Sequence, residues 1–158
     1  MRDSLRTGIT FGLTSAVITT LGLMVGLHSG THSRIVVLGG ILTIAIADAF
    51  SDALGIHVSE ESENIHTVKQ IWGSTVATFL AKFLFALSFA LPILFLPLST
   101  AIIVSLLWGM SILAILSYTM AKSQGKAPWK IVGEHILIAL FVIGITHLVG
   151  DWVGTLGG

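Results

Sequence analysis

Five long apolar segments, almost free of charged residues, dominate the chain and constrain its fold. A helix needs about 20 consecutive apolar residues to cross the hydrocarbon core of a membrane, and each segment is long enough. The sequence therefore predicts an all-α, polytopic membrane protein, in which residues 1–158 form one domain, a bundle of five transmembrane helices. The predicted spans are Thr7–Leu27, Ile35–Ser59, Ile71–Leu96, Ser99–Ala121 and Ile131–Val153.

The composition supports a membrane protein and excludes several other classes. Charged residues make up 10% of the chain, far below the roughly 25% of soluble domains. The mean hydropathy is +0.95, the formal net charge is zero and no basic patch is present, so we expect the lipid bilayer and not nucleic acid as a partner. The absence of cysteine excludes disulfides, thiolate metal sites and cysteine nucleophiles.

The distribution of Lys and Arg predicts the orientation of the chain. Cytoplasmic loops of membrane proteins carry an excess of these residues. Arg34 alone lies on one side, so we expect a cell-membrane protein with a cytoplasmic N-terminus and an external C-terminus. Lys82, inside the third span, is expected to extend its ammonium to the cytoplasmic surface. The side assigned to the cytoplasm carries Arg2, Arg6, Lys69, Lys122, Lys126 and Lys130.

Two carboxylates inside the second span are the strongest functional signal. Asp48 and Asp52 lie one helical turn apart, and ionisable groups at membrane depth are costly and usually functional. Two ionised neighbours would repel, which favours a proton on one of them and predicts a metal or proton site. The polar end of the same helix predicts a cytoplasmic metal-acceptor cluster of Glu60, Glu61 and Glu63.

The first span combines small residues with hydroxyl side chains. Gly8, Gly12 and Ala16 form a row that lets helices approach closely, and we expect it to meet the same helix of a second copy. Thr14 and Ser15 offer oxygen ligands near a pore. Close packing and ligand binding are compatible roles for this helix.

The histidines leave a different reading open, that of a membrane enzyme or haem protein. His147 and Asp151 are four residues apart, a spacing that can chelate a metal, although a hydrogen bond between them is the simpler explanation. His28 and His32 flank Gly30 and are predicted to lie in a loop. Because no nucleophile with a base and an orienting acid is evident, the chain is predicted not to be an enzyme.

Three segments resemble helices of the vacuolar iron transporter family of divalent-metal transporters. Residues 15–26, SAVITTLGLMVG, resemble its first helix. Residues 39–62, GGILTIAIADAFSDALGIHVSEES, resemble the second, and residues 146–150, THLVG, resemble the end of the fifth. The number of spans and the orientation also fit this family, so the resemblance covers nearly the whole chain.

The resemblance implies a homodimeric, proton-coupled exporter of cytosolic Fe²⁺ and related divalent ions, with the metal as substrate and no bound cofactor. This chain departs from the family pattern in its pore residues and in one connecting segment. Ser15 stands where the family has a pore aspartate, Asp52 where it has a methionine, and Asp48 where it has a small residue. The long cytoplasmic metal-binding segment between the second and third helices is missing, so this chain resembles a short member.

These departures leave two interpretations open. In the first, the carboxylate has moved to the second helix, and a pore lined only by oxygen favours Mg²⁺, Ca²⁺ or Mn²⁺ over the softer divalent ions. The chain is then a divalent-cation transporter that exchanges metal for protons. In the second, the usual pore ligands have simply been lost, and the chain is a non-transporting membrane sensor or scaffold with the same fold.

Overall fold

The computed structural model of the chain has five segments long and apolar enough to cross a membrane, which confirms the predicted all-α fold. The structure describes residues 2–156, so residues 1, 157 and 158 of the predicted domain lie outside it. Within the described range the chain forms six α-helices and no β-strand. The helices are α1 (Arg2–Thr31), α2 (Arg34–Ser62), α3 (Val68–Ser88), α4 (Ala90–Phe95), α5 (Leu98–Ser123) and α6 (Pro128–Leu156).

The third span is a pair of helices and not the single helix predicted. α3 ends at Ser88 and α4 begins at Ala90, with Phe89 between them. Pro92 explains the break, because it has no N–H to donate to the carbonyl of Ser88 and its ring crowds that carbonyl. The two helices together, Val68–Phe95, still make one segment long enough to span the membrane.

Local capping residues fix the ends of the helices. Thr67 begins α3 with a capping box, in which its hydroxyl accepts from the N–H of Gln70 and the Gln70 side chain accepts from the N–H of Thr67. Pro97 directly precedes α5. Arg34, at the start of α2, donates a 2.8 Å hydrogen bond to the carbonyl of Leu96 and so ties α2 to the end of α4.

α1 lies at the centre of the bundle, and its small residues bring two neighbouring helices close. A Cβ atom on Gly12 would lie 2.7 Å from the carbonyl oxygen of Thr78 in α3, and one on Gly8 would collide with the carbonyl of Ser74. Ala16 is fully buried. The row that was predicted to meet a second copy therefore packs on α3 of the same chain, and that prediction of the dimer face is wrong.

The second half of α1 packs in the same way against α6. A Cβ on Gly26 would lie 3.0 Å from the carbonyl oxygen of Thr146, and one on Gly30 would lie 2.8 Å from that of Gly150. α1 is thus held between α3 and α6, while α2 and α6 expose most of their apolar surface. This arrangement places the inward faces of α1, α2 and α3 around a common interior.

Candidate cation site

Lys82 lies inside the bundle and contacts both carboxylates of α2. Its Nζ is 2.5 Å from Oδ2 of Asp48, 2.5 Å from Oδ2 of Asp52 and 2.8 Å from Oγ of Ser15 in α1. The lysine side chain is only 1% exposed. The expectation that Lys82 reaches the membrane surface is therefore wrong, because two carboxylates within reach hold the ammonium more effectively than a distant water phase does.

These four side chains, which we call the central cluster, lie at the middle of their spans. Asp48 is 14 residues from Arg34 and 14 from Ser62, the two ends of α2. A helix rises about 1.5 Å per residue, so Asp48 is roughly 21 Å from either end. The cluster therefore lies far from both membrane surfaces, near the middle of the membrane. A charge is most costly at that depth.

The two carboxylates differ in how they meet the ammonium. Lys82 makes a well-aligned hydrogen bond with Asp52. Asp48 lies within ion-pair distance of the ammonium, but the geometry of that contact is not that of a hydrogen bond. Oδ2 of Asp48 consequently has no hydrogen-bond partner, although it is buried. With all three charged groups ionised, the central cluster carries one net negative charge.

The ligand residues predicted on α1 are only partly brought together. Ser15 joins the central cluster through its hydroxyl, which accepts a hydrogen bond from Lys82. Thr14 is half-buried on α1 and is not one of the three groups described in contact with the ammonium.

Sequence reasoning missed a row of buried polar residues on α3. Ser74, Thr78 and Lys82 follow one another at every fourth position and are all buried within the bundle. The hydroxyl of Thr78 is buried and has no hydrogen-bond partner. The signal was present in the sequence, since polar residues four apart lie on one face of a helix.

Glu60 is buried at one end of this row. Its carboxylate accepts a 2.5 Å hydrogen bond from the hydroxyl of Ser74, and the residue is 7% exposed. Glu61 and Glu63 are exposed, and Glu63 pairs with His66 at 3.2 Å. The three glutamates therefore do not form the single exposed cluster predicted from the sequence.

Two clefts reach these polar groups from the surface. The first, of about 520 Å³, lies where α1 begins and α2 ends, and the second, of about 740 Å³, lies along the α1–α2 groove. The second cleft reaches the central cluster through Asp48. The first is lined by polar residues that include Asp3, Thr7, Ser59, Glu60, Glu63, His66 and Gln70. The polar residues of the second are Thr19, Thr43, Asp48 and Ser51.

A separate polar group lies at the opposite end of the bundle. Nε2 of His147 is 3.5 Å from Oδ2 of Asp151, and Ser29 of α1 donates hydrogen bonds to Asp151 and to the carbonyl of His147. His28 and His32 have ring centroids 5.3 Å apart. The prediction of a loop is wrong for His28, which lies in α1, and is confirmed for His32, which lies between the end of α1 at Thr31 and the start of α2 at Arg34.

The acidic side chains of the described residues meet at most in pairs, as Asp48 and Asp52 do around Lys82. Within residues 2–156 no three His, Asp or Glu side chains come together so as to hold a metal ion. What the central cluster does provide is one position where a cation touches two carboxylate oxygens and a hydroxyl. Comparison of the chain with protein-family models and with curated proteins gave no match.

Proposed function

We propose that this chain is a membrane transporter of divalent metal cations in which Asp48 and Asp52 bind the transported ion. The observation that carries the proposal is that one cation, the Lys82 ammonium, touches a carboxylate oxygen of each residue at 2.5 Å. Two carboxylates that reach one cation can also chelate one metal ion. Ionisable groups at this depth are costly to keep, and a role in ion movement explains why they are there.

The oxygen chemistry of the central cluster favours hard cations. Carboxylate and hydroxyl oxygens suit Mg²⁺, Ca²⁺ and Mn²⁺, whereas softer ions favour nitrogen or sulfur ligands. The transported ions are accordingly Mn²⁺-like, with Fe²⁺ as the ion that the family resemblance implies. The net negative charge of the cluster calls for a compensating proton or cation, which supports exchange of metal for protons.

The cleft beside Glu60 is the proposed entrance. It lies on the side of the bundle that holds the N-terminus, which the excess of Lys and Arg assigns to the cytoplasm. Exposed Glu61 and Glu63 attract cations to this entrance, and buried Glu60 begins the row that leads along α3 towards Lys82. Transport then runs from the cytoplasm outwards, across the cell membrane.

The α1–α2 groove supports a homodimer. Thr43, Ser51 and Asp48 line this groove at membrane depth, where lipid chains offer no hydrogen-bond partners. A second copy of the chain placed over the groove would shield these groups and enclose a polar pathway between the two copies. The proposed dimer face is thus this groove and not the glycine row of α1.

A non-transporting sensor or scaffold is the second candidate function. The observation in its favour is that Lys82 already neutralises one carboxylate and joins α1, α2 and α3 through Ser15, Asp48 and Asp52. A protein that only needed a rigid bundle would keep this arrangement without moving any ion.

Flux measurements in liposomes distinguish the two functions. Purified protein in sealed vesicles is tested with Mn²⁺, Fe²⁺, Co²⁺, Mg²⁺ and Ca²⁺, with and without a pH gradient, against protein-free vesicles. A transporter moves at least one of these ions faster than the empty vesicles do, and a pH gradient changes the rate. Equal rates in both preparations for all five ions would favour the scaffold.

A further inference from the structure

The position of Lys82 raises the question of what happens to its ammonium when a metal ion binds. A divalent cation between Asp48 and Asp52 would occupy the place where Nζ now lies, and two like charges at that distance repel strongly in a poorly screened interior. Metal and ammonium therefore exclude one another. Either the lysine moves or the metal does not bind.

We propose that Lys82 is a tethered counter-ion, which fills the cation site when it is empty and withdraws along α3 when a metal ion enters. This inference rests on the proposed function, because it concerns the same carboxylates. The lysine has a flexible stem of four carbons and three donors on its ammonium, so it can exchange partners without moving the helix.

Thr78 provides the place to which the ammonium withdraws. It lies one turn before Lys82 on the same buried face of α3, and helical side chains lean towards the preceding turn. Its hydroxyl oxygen is buried and has no hydrogen-bond partner, so it is free to accept a bond from the ammonium. Ser74 lies one turn before Thr78 and donates a hydrogen bond to the Glu60 carboxylate. The negative charge of Glu60 attracts the ammonium in the same direction along α3.

The same exchange explains how an empty transporter returns to its starting state. Two bare carboxylates in the middle of the membrane are strongly unfavourable. When the metal ion leaves, the ammonium returns to Asp48 and Asp52 and removes most of that cost. Lys82 thus sets the metal affinity of the site and neutralises one of its two carboxylates when no metal is present.

Binding of Mn²⁺ to the purified full chain in detergent tests this role, with the free ion followed by electron paramagnetic resonance. Lys82→Gln keeps a polar side chain, one atom shorter than lysine, but removes the competing charge, and we expect it to bind Mn²⁺ at least about tenfold more tightly than the unmodified chain. A stabilisation of the unfolding temperature by Mn²⁺ that is larger in Lys82→Gln than in the unmodified chain would support the same conclusion.

Thr78→Val removes the hydroxyl that receives the ammonium, and we expect roughly threefold weaker Mn²⁺ binding, as for the loss of one modest hydrogen bond. Ser105→Ala is the matched control, because Ser105 of α5 also carries a buried hydroxyl without a partner. It should bind Mn²⁺ like the unmodified chain. If Lys82→Gln does not fold, the comparison of Thr78→Val with Ser105→Ala alone decides whether the ammonium withdraws to Thr78.

The outcomes separate the two proposals. If the unmodified chain binds Mn²⁺ and Lys82→Gln binds it equally or less tightly, Lys82 is not a counter-ion, although the cation site remains. If Thr78→Val and Ser105→Ala bind Mn²⁺ equally, Thr78 does not receive the ammonium and the withdrawal is wrong. If neither the unmodified chain nor Lys82→Gln binds Mn²⁺, the proposed transport function fails and the counter-ion role fails with it.

Discussion

The ammonium of Lys82 donates a 2.5 Å hydrogen bond to Oδ2 of Asp52 and so joins α3 to α2 in the interior of the bundle. Lys82 is 1% exposed and Asp52 is 18% exposed. Removing one partner from such a pair leaves an uncompensated charge in a poorly polar interior, which costs far more than the pair itself contributes. The stability of the bundle and the binding of a cation therefore depend on the same atoms.

Lys82→Met should lower the free energy of unfolding by about 3–5 kcal/mol, because it leaves two partly buried carboxylates without a partner. The double variant Lys82→Met, Asp52→Asn should recover part of this loss, since only one carboxylate then stays unpaired. Denaturant titration in detergent measures both values. Strictly additive losses in the double variant would show that Lys82 and Asp52 are not coupled.

Gly12→Leu should destabilise the bundle by about 1–3 kcal/mol, because the added side chain meets the backbone of α3 at Thr78. Gly39→Leu in α2 is the matched control, since a Cβ there meets nothing within 4 Å. Its unfolding temperature should stay close to that of the unmodified chain. Equal losses in both variants would mean that α1 and α3 are not in close contact.

Glu60→Gln should cost about 1–3 kcal/mol of unfolding free energy, because it disturbs a buried carboxylate that accepts a bond from Ser74. Glu61→Gln, a change at an exposed position, should leave the unfolding free energy almost unchanged. Thermal unfolding in detergent compares the two. A loss for Glu61→Gln as large as that for Glu60→Gln would contradict the difference in burial.

Cross-linking tests the proposed dimer face, and the absence of native cysteine makes single-cysteine variants informative. Thr43→Cys and Ser51→Cys, in the α1–α2 groove, should form disulfide-linked dimers in membranes. Gly12→Cys should not, because that position faces α3 of its own chain. Dimers formed through Gly12→Cys but not through the groove positions would restore the dimer face predicted from the sequence.

The positions of the spans could be predicted because they depend on the length and polarity of local segments alone. The break at Phe89 could also have been predicted, since Pro92 lies within the third span. The glycine row of α1 shows the limit of such reasoning. Gly8 and Gly12 indicate that some helix approaches closely, but the partner is decided by how the whole bundle packs, and here it is α3.

Only part of the candidate site could be predicted from the sequence, for a similar reason. Asp48 and Asp52 stand out because carboxylates are rare in apolar segments. The direction of Lys82 could not be predicted from its own segment, because a lysine in a span either reaches the surface or pairs with an acid, and the position of α2 decides between them. The row of Ser74, Thr78 and Lys82 was the clue that favours the inward direction.

The most direct test of the central claim is metal flux by Asp52→Asn in liposomes, at the same protein content as the unmodified chain. Asp52 makes the aligned contact with the cation position, so we expect Mn²⁺ flux to fall to the level of protein-free vesicles while the protein stays folded. Glu134→Gln, a change at an exposed position of α6, is the control and should transport Mn²⁺ like the unmodified chain. Undiminished Mn²⁺ flux by Asp52→Asn would contradict the assignment of Asp52 as a ligand of the transported ion.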